Sequence, residues 1–273
     1  MALVGDGSVA AALGALRGYT FVWPVVSVGN VGQLCVDVLI ATEALGFEKV
    51  GVLSDPAVVP LVGYRQTRER SVDLTFALEL FVSHGKRVAV VQQRSPVIED
   101  LHDEFGQRVA EWLACAGARR VILVGSTPAY RRADRDLQSG GGQVVCAASP
   151  PASSSDLAIS KLQWARVSPD LFEHLQPDDG DMDAWALPAV GTGCARQLFA
   201  ACQARDLEVA ALLAVVDEGD NAIDGLQHAG RVMRLVGRLQ GDDDDEERRR
   251  IDWQTPAEWA LVFGGPHNPD LYL

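Results

Sequence analysis

Three short stretches carry residue types and spacings that could do chemistry. The first is Gly29-Asn30-Val31-Gly32-Gln33, entered from the apolar run Val25-Val26-Ser27-Val28. A glycine turn between a strand and a helix leaves the first helical amides unpaired, and an anion can sit there. The dinucleotide fingerprint is G-x-G-x-x-G, whereas the spacing here is G-x-x-G with Val31 between the glycines. No Walker lysine follows the glycines. Asp55 stands beyond the next strand, where a ribose-binding acid would be placed. A tight structural turn explains the same glycines without a ligand.

The second stretch is Asp217-Glu218-Gly219-Asp220-Asn221, at the end of the apolar run Val209–Val216. Acids at the carboxyl end of an α/β strand are candidates for acid–base or metal chemistry. Helix capping by Asp220 or Asn221 and a solvated turn account for them equally. The third stretch is the C-terminus, Leu271-Tyr272-Leu273, behind the stiff polar spacer Asn268-Pro269-Asp270. An apolar free end can fold back on its own core. It can also act as a docking peptide, its carboxylate held by a cation and Tyr272 filling a pocket.

Other constellations are missing. The histidines His84, His102, His174, His228 and His267 have no i, i+4 pairing and no H-E-x-x-H, and no G-x-S-x-G elbow occurs. Cys35, Cys115, Cys146, Cys194 and Cys202 form no C-x-x-C pair, which argues against zinc and a disulfide framework. Neither a catalytic residue nor a metal or cofactor is expected. With a net charge of −13, a nucleic-acid partner is disfavoured. The uncharged stretch 18–36 contains Pro24 and three glycines, Gly18, Gly29 and Gly32, which disqualifies a membrane helix. A reducing compartment, cytosol or nucleus, is expected.

These stretches need elements to position them. Helical spacing places Val31, Leu34, Cys35, Val38, Leu39, Thr42 and Leu45 on one stripe, and Glu48–Leu53 reads as a second buried strand. Together they predict a βαβ unit with a parallel strand pair. Val72, Leu74, Phe76, Leu78 and Leu80 alternate as one half-buried strand. A turn at Ser83–Lys86 then leads into Arg87–Gln92, so the pair is antiparallel and the sheet mixed. Ile98–Ala116 is helical, and Val121–Val124 is a strand ending in Gly125-Ser126-Thr127. The stretch from Tyr130 to Ser155 is an excursion carrying one strand at Val144–Ala147, and Pro177–Asp183 is an acidic loop. A helix follows over Ala195, Leu198, Phe199 and Cys202; another places Ile223, Leu226, Val232, Leu235 and Leu239 inward. The expected organisation is a loose N-terminal segment 1–18, one α/β domain 19–240, a charged linker 241–250 and a C-terminal segment 251–273.

Pro24-Val25-Val26-Ser27-Val28-Gly29-Asn30-Val31-Gly32-Gln33-Leu34 resembles the proteasome assembly chaperone 2 family. So do Asp55, Pro60-Leu61-Val62-Gly63, Glu218-Gly219-Asp220-Asn221 and the terminal hydrophobic–Tyr–any-residue tripeptide. The similarity spans Phe21 to Leu239, with gaps at Tyr130–Ser155 and Pro177–Asp183. The resemblance implies a three-layer α/β/α sandwich with a mixed, largely parallel sheet, related to phosphorylase-like domains without their active site. It implies a non-enzymatic heterodimer with proteasome assembly chaperone 1 that binds the proteasome α-ring and promotes its assembly. It also implies that Leu271, Tyr272 and the Leu273 carboxylate insert between α subunits, where a lysine takes the carboxylate. The charged block 241–250 and the Gly140–Gly142 excursion depart from the family pattern. The competing expectation is a phosphorylase-like or nucleotide-binding enzyme. It would use the Gly29–Gly32 turn with Asp55, Asp217, Glu218 and Asp220.

Overall fold

Phe21, Val22 and Trp23 show how the layers arise. Successive strand residues point to opposite faces. Phe21 and Trp23 enter one apolar core and Val22 enters the other, and all three are fully buried. The same alternation runs along the strand 120–128, with Val121 and Leu123 on one side and Ile122 and Val124 on the other. A strand apolar on both faces must be covered on both, so helices pack above and below. Each fully buried Val, Leu or Phe contributes about 1.5–3 kcal/mol.

The computed structural model describes residues 1–4, 14–66, 72–131, 144–150, 153–166, 187, 191–242, 251–257 and 259. Its strands are β1 (Ala2–Val4), β2 (Thr20–Pro24), β3 (Glu48–Ser54), β4 (Val62–Gln66), β5 (Val72–Phe76) and β6 (Leu78–Ser83). The series continues with β7 (Val88–Gln93), β8 (Arg120–Pro128), β9 (Val144–Ser149), β10 (Ala165–Arg166) and β11 (Val209–Val216). The helices are α1 (Val31–Ala41), α2 (His102–Cys115), α3 (Ser154–Leu162), α4 (Ala195–Gln203) and α5 (Ala222–Gln240). One sheet has the order β1-β3-β6-β7-β2-β8-β11-β9-β10, and β4 and β5 form a separate two-stranded ribbon. The middle strands β7, β2, β8 and β11 are parallel, and the pairings outward of them include antiparallel ones on both sides. Helices α2 and α4 pack on one face, and α1, α3 and α5 pack on the other. This is the three-layer α/β/α sandwich with a mixed sheet that the sequence predicts.

Several expectations need correction. β2 ends at Pro24, so residues 25–27 form the connection rather than the strand, with a 3-10 turn at Val28–Asn30. The β2–α1–β3 unit does not make a parallel pair. β2 pairs with β7 and β8, while β3 lies beyond β6 and pairs antiparallel with β6 and β1. The two strands do point the same way, but the β6–β7 hairpin is inserted between them. β3 is also only half-covered, unlike β6 and β7.

The alternation from Val72 to Leu80 is two strands, because the chain changes sheets at Ala77. Gly125, Ser126 and Thr127 continue β8 rather than end it. The expected excursion 130–155 runs into the helix Ser154–Leu162, whose N-cap Ser153 accepts from the Asp156 amide. Ile223 faces outward on α5 at 72% exposure, not inward. The N-terminal segment is not loose throughout. β1 pairs with β3, Leu16 is buried, and the Met1 amino group lies 3.8 Å from Asp55. The Gly140–Gly142 excursion, the Pro177–Asp183 loop and the charged residues 243–250 lie outside the described residues.

Candidate functional site

The two glycine motifs meet at the carboxyl edge of the parallel strands. β2 delivers Gly29 and Gly32, and β11 delivers Asp217 to Asn221. Gly29 has φ 65°, and a Cβ there would lie 2.4 Å from Asn221 Nδ2. Its neighbour Asn30 is also left-handed, at φ 53°, and exposed. Gly32 opens α1 against β8, where a Cβ would meet the Val124 carbonyl oxygen at 2.5 Å. Only a residue without a side chain lets the helix start this close to the sheet. Gln33 is nearly buried, and its amide oxygen finds no donor among the described residues.

The second motif closes on the first. Asn221 Nδ2 donates to the carbonyls of Asp217 at 3.0 Å and Gly219 at 3.1 Å. Gly219 has φ 137°, a conformation that favours glycine. Asp220 Oδ1 accepts from the Ala222 amide at 3.0 Å, at the start of α5. Of the two caps the sequence offered, Asp220 therefore supplies the side-chain acceptor, while Asn221 holds the loop.

A cleft of about 560 Å³ opens beside this knot. Its walls include Ser27, Val28, Pro128, Tyr130, Asp217 and Glu218. Among the described residues, none of those lining it is basic. Some of the backbone donors around the turn are engaged. The Val28 amide donates to Gly191 O at 3.0 Å, and the Asn30 amide to Ser27 O at 3.0 Å. The Ser126 amide donates to Ser27 Oγ at 3.0 Å, and the Ser126 hydroxyl donates to Val28 O. The carboxylates of Asp217 and Glu218 on the rim disfavour a phosphate in this cleft.

Asp55 is not at this edge's service. Arg108 Nε and Nη2 donate to it at 2.8 and 2.7 Å, and the Ala57 amide at 2.9 Å. Burial raises its carboxyl, but Arg108 and the Ala57 amide outweigh burial and hold it below the ordinary range. The pair joins the β3 exit to α2. Among the described residues no group of three His, Cys, Asp or Glu side chains is placed to hold a metal. No helix among them is long and apolar enough to cross a membrane. Burial pushes the Cys194 and Cys202 thiols up to about 12, so both behave as small apolar residues.

The reading of the sequence passed over two features. Ser27 and Ser126 bridge the β2 and β8 exits, with their hydroxyls 2.8 Å apart. Ser27 sits inside the quoted motif, and its polarity after an apolar run was the available signal. Asp37 is buried in α1, bound by Arg94 Nη1 at 2.7 Å and by Gln92. A lone acid in an otherwise uncharged helix was the signal there. The predicted docking residues Leu271, Tyr272 and Leu273 lie outside the described residues.

Comparison with known proteins gives a consistent result. The profile of the PAC2 family matches residues 21–239. Proteasome assembly chaperone 2 of Bos taurus is 29% identical, over 94% of this chain and 96% of that protein. The protein of the same name from Homo sapiens is also 29% identical, over the same shares of each chain. Among solved structures, Pyrococcus furiosus PbaA, an archaeal homolog of proteasome-assembly chaperone, aligns with TM-score 0.56 at 14% identity. That alignment covers 82% of each chain. Pyrococcus furiosus PbaB, an archaeal proteasome activator, gives TM-score 0.55 at 19% identity, covering 86% of this chain and 88% of that one. At such identities the structural likeness speaks to the fold alone.

Proposed function

The chain belongs to the PAC2 family, and from that premise we propose that it is a subunit of a proteasome assembly chaperone with no turnover of its own. The observation that carries this reading is end-to-end similarity. The relatives named proteasome assembly chaperone 2 align over 94% of this chain and 96% of their own length. The edge where an α/β enzyme would work supports the same reading. Its acids cap a helix or face solvent, and among the described residues no basic side chain lines its cleft.

In finer terms, the chain pairs with proteasome assembly chaperone 1, and the pair binds proteasome α subunits in the cytosol and nucleus. The tail Leu271-Tyr272-Leu273 docks between neighbouring α subunits, with a lysine taking the Leu273 carboxylate. An obligate interface of this kind buries above roughly 2,000 Å² in total. The test is co-expression with proteasome assembly chaperone 1, the C-terminus of this chain left untagged, followed by light scattering. A one-to-one complex that retains purified α subunits is expected. A monodisperse monomer in the presence of the partner would overturn the pairing.

A further inference from the structure

Residues 251–257 and Trp259 follow the charged block and run across the α1/α5 face. Ile251, Trp253 and Trp259 are half-buried against the core beneath that face. The Trp253 ring lies over Gly230 of α5, where a Cβ would approach Trp253 Cζ2 to 3.9 Å. Gln254 clamps the end of α1 from both sides. Its amide donates to Thr42 Oγ1 at 3.2 Å, and its Oε1 accepts from the Glu43 amide at 3.2 Å. Thr42 is itself fixed, fully buried and donating to Val38 O at 2.7 Å. Trp259 favours the charged form of the buried Asp37 carboxylate, which receives hydrogen bonds from Arg94 and Gln92. Asp37 is the one acid in α1.

We infer that the strap 251–259 is a fixed mount for the chain beyond it, with Trp253, Gln254 and Trp259 as positioning residues. The mount rests on the proposed tail docking. Trp259 leaves fourteen residues, 260–273, to reach a partner. Fully extended, fourteen residues span at most about 50 Å. Without the mount, the last fixed point is the end of α5 at Gln240. The tether then more than doubles in length, to thirty-three residues. Effective concentration falls roughly as the −3/2 power of tether length. Releasing the strap should therefore weaken tail-dependent binding about fourfold. The tail's own side chains are unchanged by this.

A double-mutant cycle tests the mount. The variants are Trp253→Ala/Trp259→Ala, Tyr272→Ala and their combination, each purified as the heterodimer. Affinity for purified α-ring assemblies is measured, and hydrogen exchange over 251–259 reports whether the strap has left. The mount predicts a released strap, a loss of about fourfold with the wild-type tail and no further loss in the Tyr272→Ala background. A ten-residue Gly/Ser insertion after Trp259 leaves the strap intact. It should weaken binding about twofold by lengthening the tether alone. A strap that stays protected in the alanine variant, or equal loss in both tail backgrounds, would overturn the mount. So would unchanged affinity with the insertion. If Tyr272→Ala itself has no effect, the tail docking has failed and the mount with it. If Tyr272→Ala weakens binding but the strap variants do not, only the mount has failed.

Discussion

Gly29 and Asn221 occupy one volume that a methyl group would overfill. A Cβ on Gly29 would stand 2.4 Å from Asn221 Nδ2 and 3.2 Å from the Asp217 carbonyl oxygen. This contact joins the β2–α1 connection to the β11–α5 connection, two segments separated by most of the chain. It explains why the sequence needs both motifs. Gly29→Ala should cost about 1–3 kcal/mol, combining left-handed strain with displacement of Asn221. Asn221→Ala in the same chain relieves the clash but also removes the two hydrogen bonds that hold the loop, so the double variant should lose less than the sum of the two single losses. Urea unfolding of the single and double variants measures both terms.

The Asp55–Arg108 pair should appear as a pH-dependent contribution to stability. Burial, then Arg108 and the Ala57 amide, leave the folded carboxyl lowered. A lowered folded pKa contributes stability above the unfolded value, about 3.9, and that stability is lost as pH falls through the folded value. Arg108→Ala should therefore cost about 1.5–3 kcal/mol at pH 7. The difference from wild type should shrink below pH 4. Chemical denaturation at pH 7, 5 and 3.5 checks the trend. A difference constant with pH would contradict it.

His228 should set another part of the acid limb. It is fully buried on α5, its Nε2 is 3.1 Å from Leu212 O, and burial and then Arg231 push it down to about 3. The unfolded histidine binds a proton near pH 6.5 and the folded one does not. Stability is therefore full above that value and falls as pH drops from 6.5 towards 3. At about 1.4 kcal/mol per pH unit, moving from pH 6.5 to 5 costs roughly 2 kcal/mol. His228→Leu removes the group and should flatten this interval. Melting temperatures over pH 5–7 for both proteins provide the readout.

The layered fold was legible because its signals are local. Val209–Val216 and Val121–Val124 are apolar on both faces, and a strand with two apolar faces requires helices on both sides. Strand order was less legible. The β6–β7 hairpin enters between β2 and β3, and no residue of the β2–α1–β3 segment reports that insertion. The break at Ala77 was hidden for a related reason. The alternation of Leu74, Phe76 and Leu78 continues through it, while β5 and β6 belong to different sheets. At the site, Gly29, Gly32, Gly219 and Asn221 were visible as turn formers. Their mutual contact is a tertiary fact, as is the capture of Asp55 by Arg108.

The Gly29–Gly32 turn should not bind phosphate, nucleosides or dinucleotides. Its Asn30 amide is engaged, and Asp217 and Glu218 line the cleft beside it. Calorimetric titration should give no heat beyond dilution. A saturable signal abolished by Gly29→Ala in a folded protein would revive the enzyme reading.

The proposed role has this chain bring the chaperone pair to the proteasome α-ring, with Tyr272 and the Leu273 carboxylate as the docking element. Burying the tyrosine ring contributes about 2 kcal/mol. A carboxylate–lysine contact adds about 1.5–3 kcal/mol. Ordering the tail offsets part of this, so Tyr272→Ala should weaken binding roughly ten- to a hundredfold at 1.4 kcal/mol per decade. One added C-terminal glycine keeps the side chains but moves the carboxylate, and should cost a similar factor. Neither change should alter the melting temperature or pairing with proteasome assembly chaperone 1. The most direct measurement is the affinity of the wild-type, Tyr272→Ala and glycine-extended heterodimers for purified α-ring assemblies. The account predicts tight binding by the wild type and a loss of at least tenfold in both variants. Wild-type protein that fails to bind, or equal affinities for all three, would contradict it.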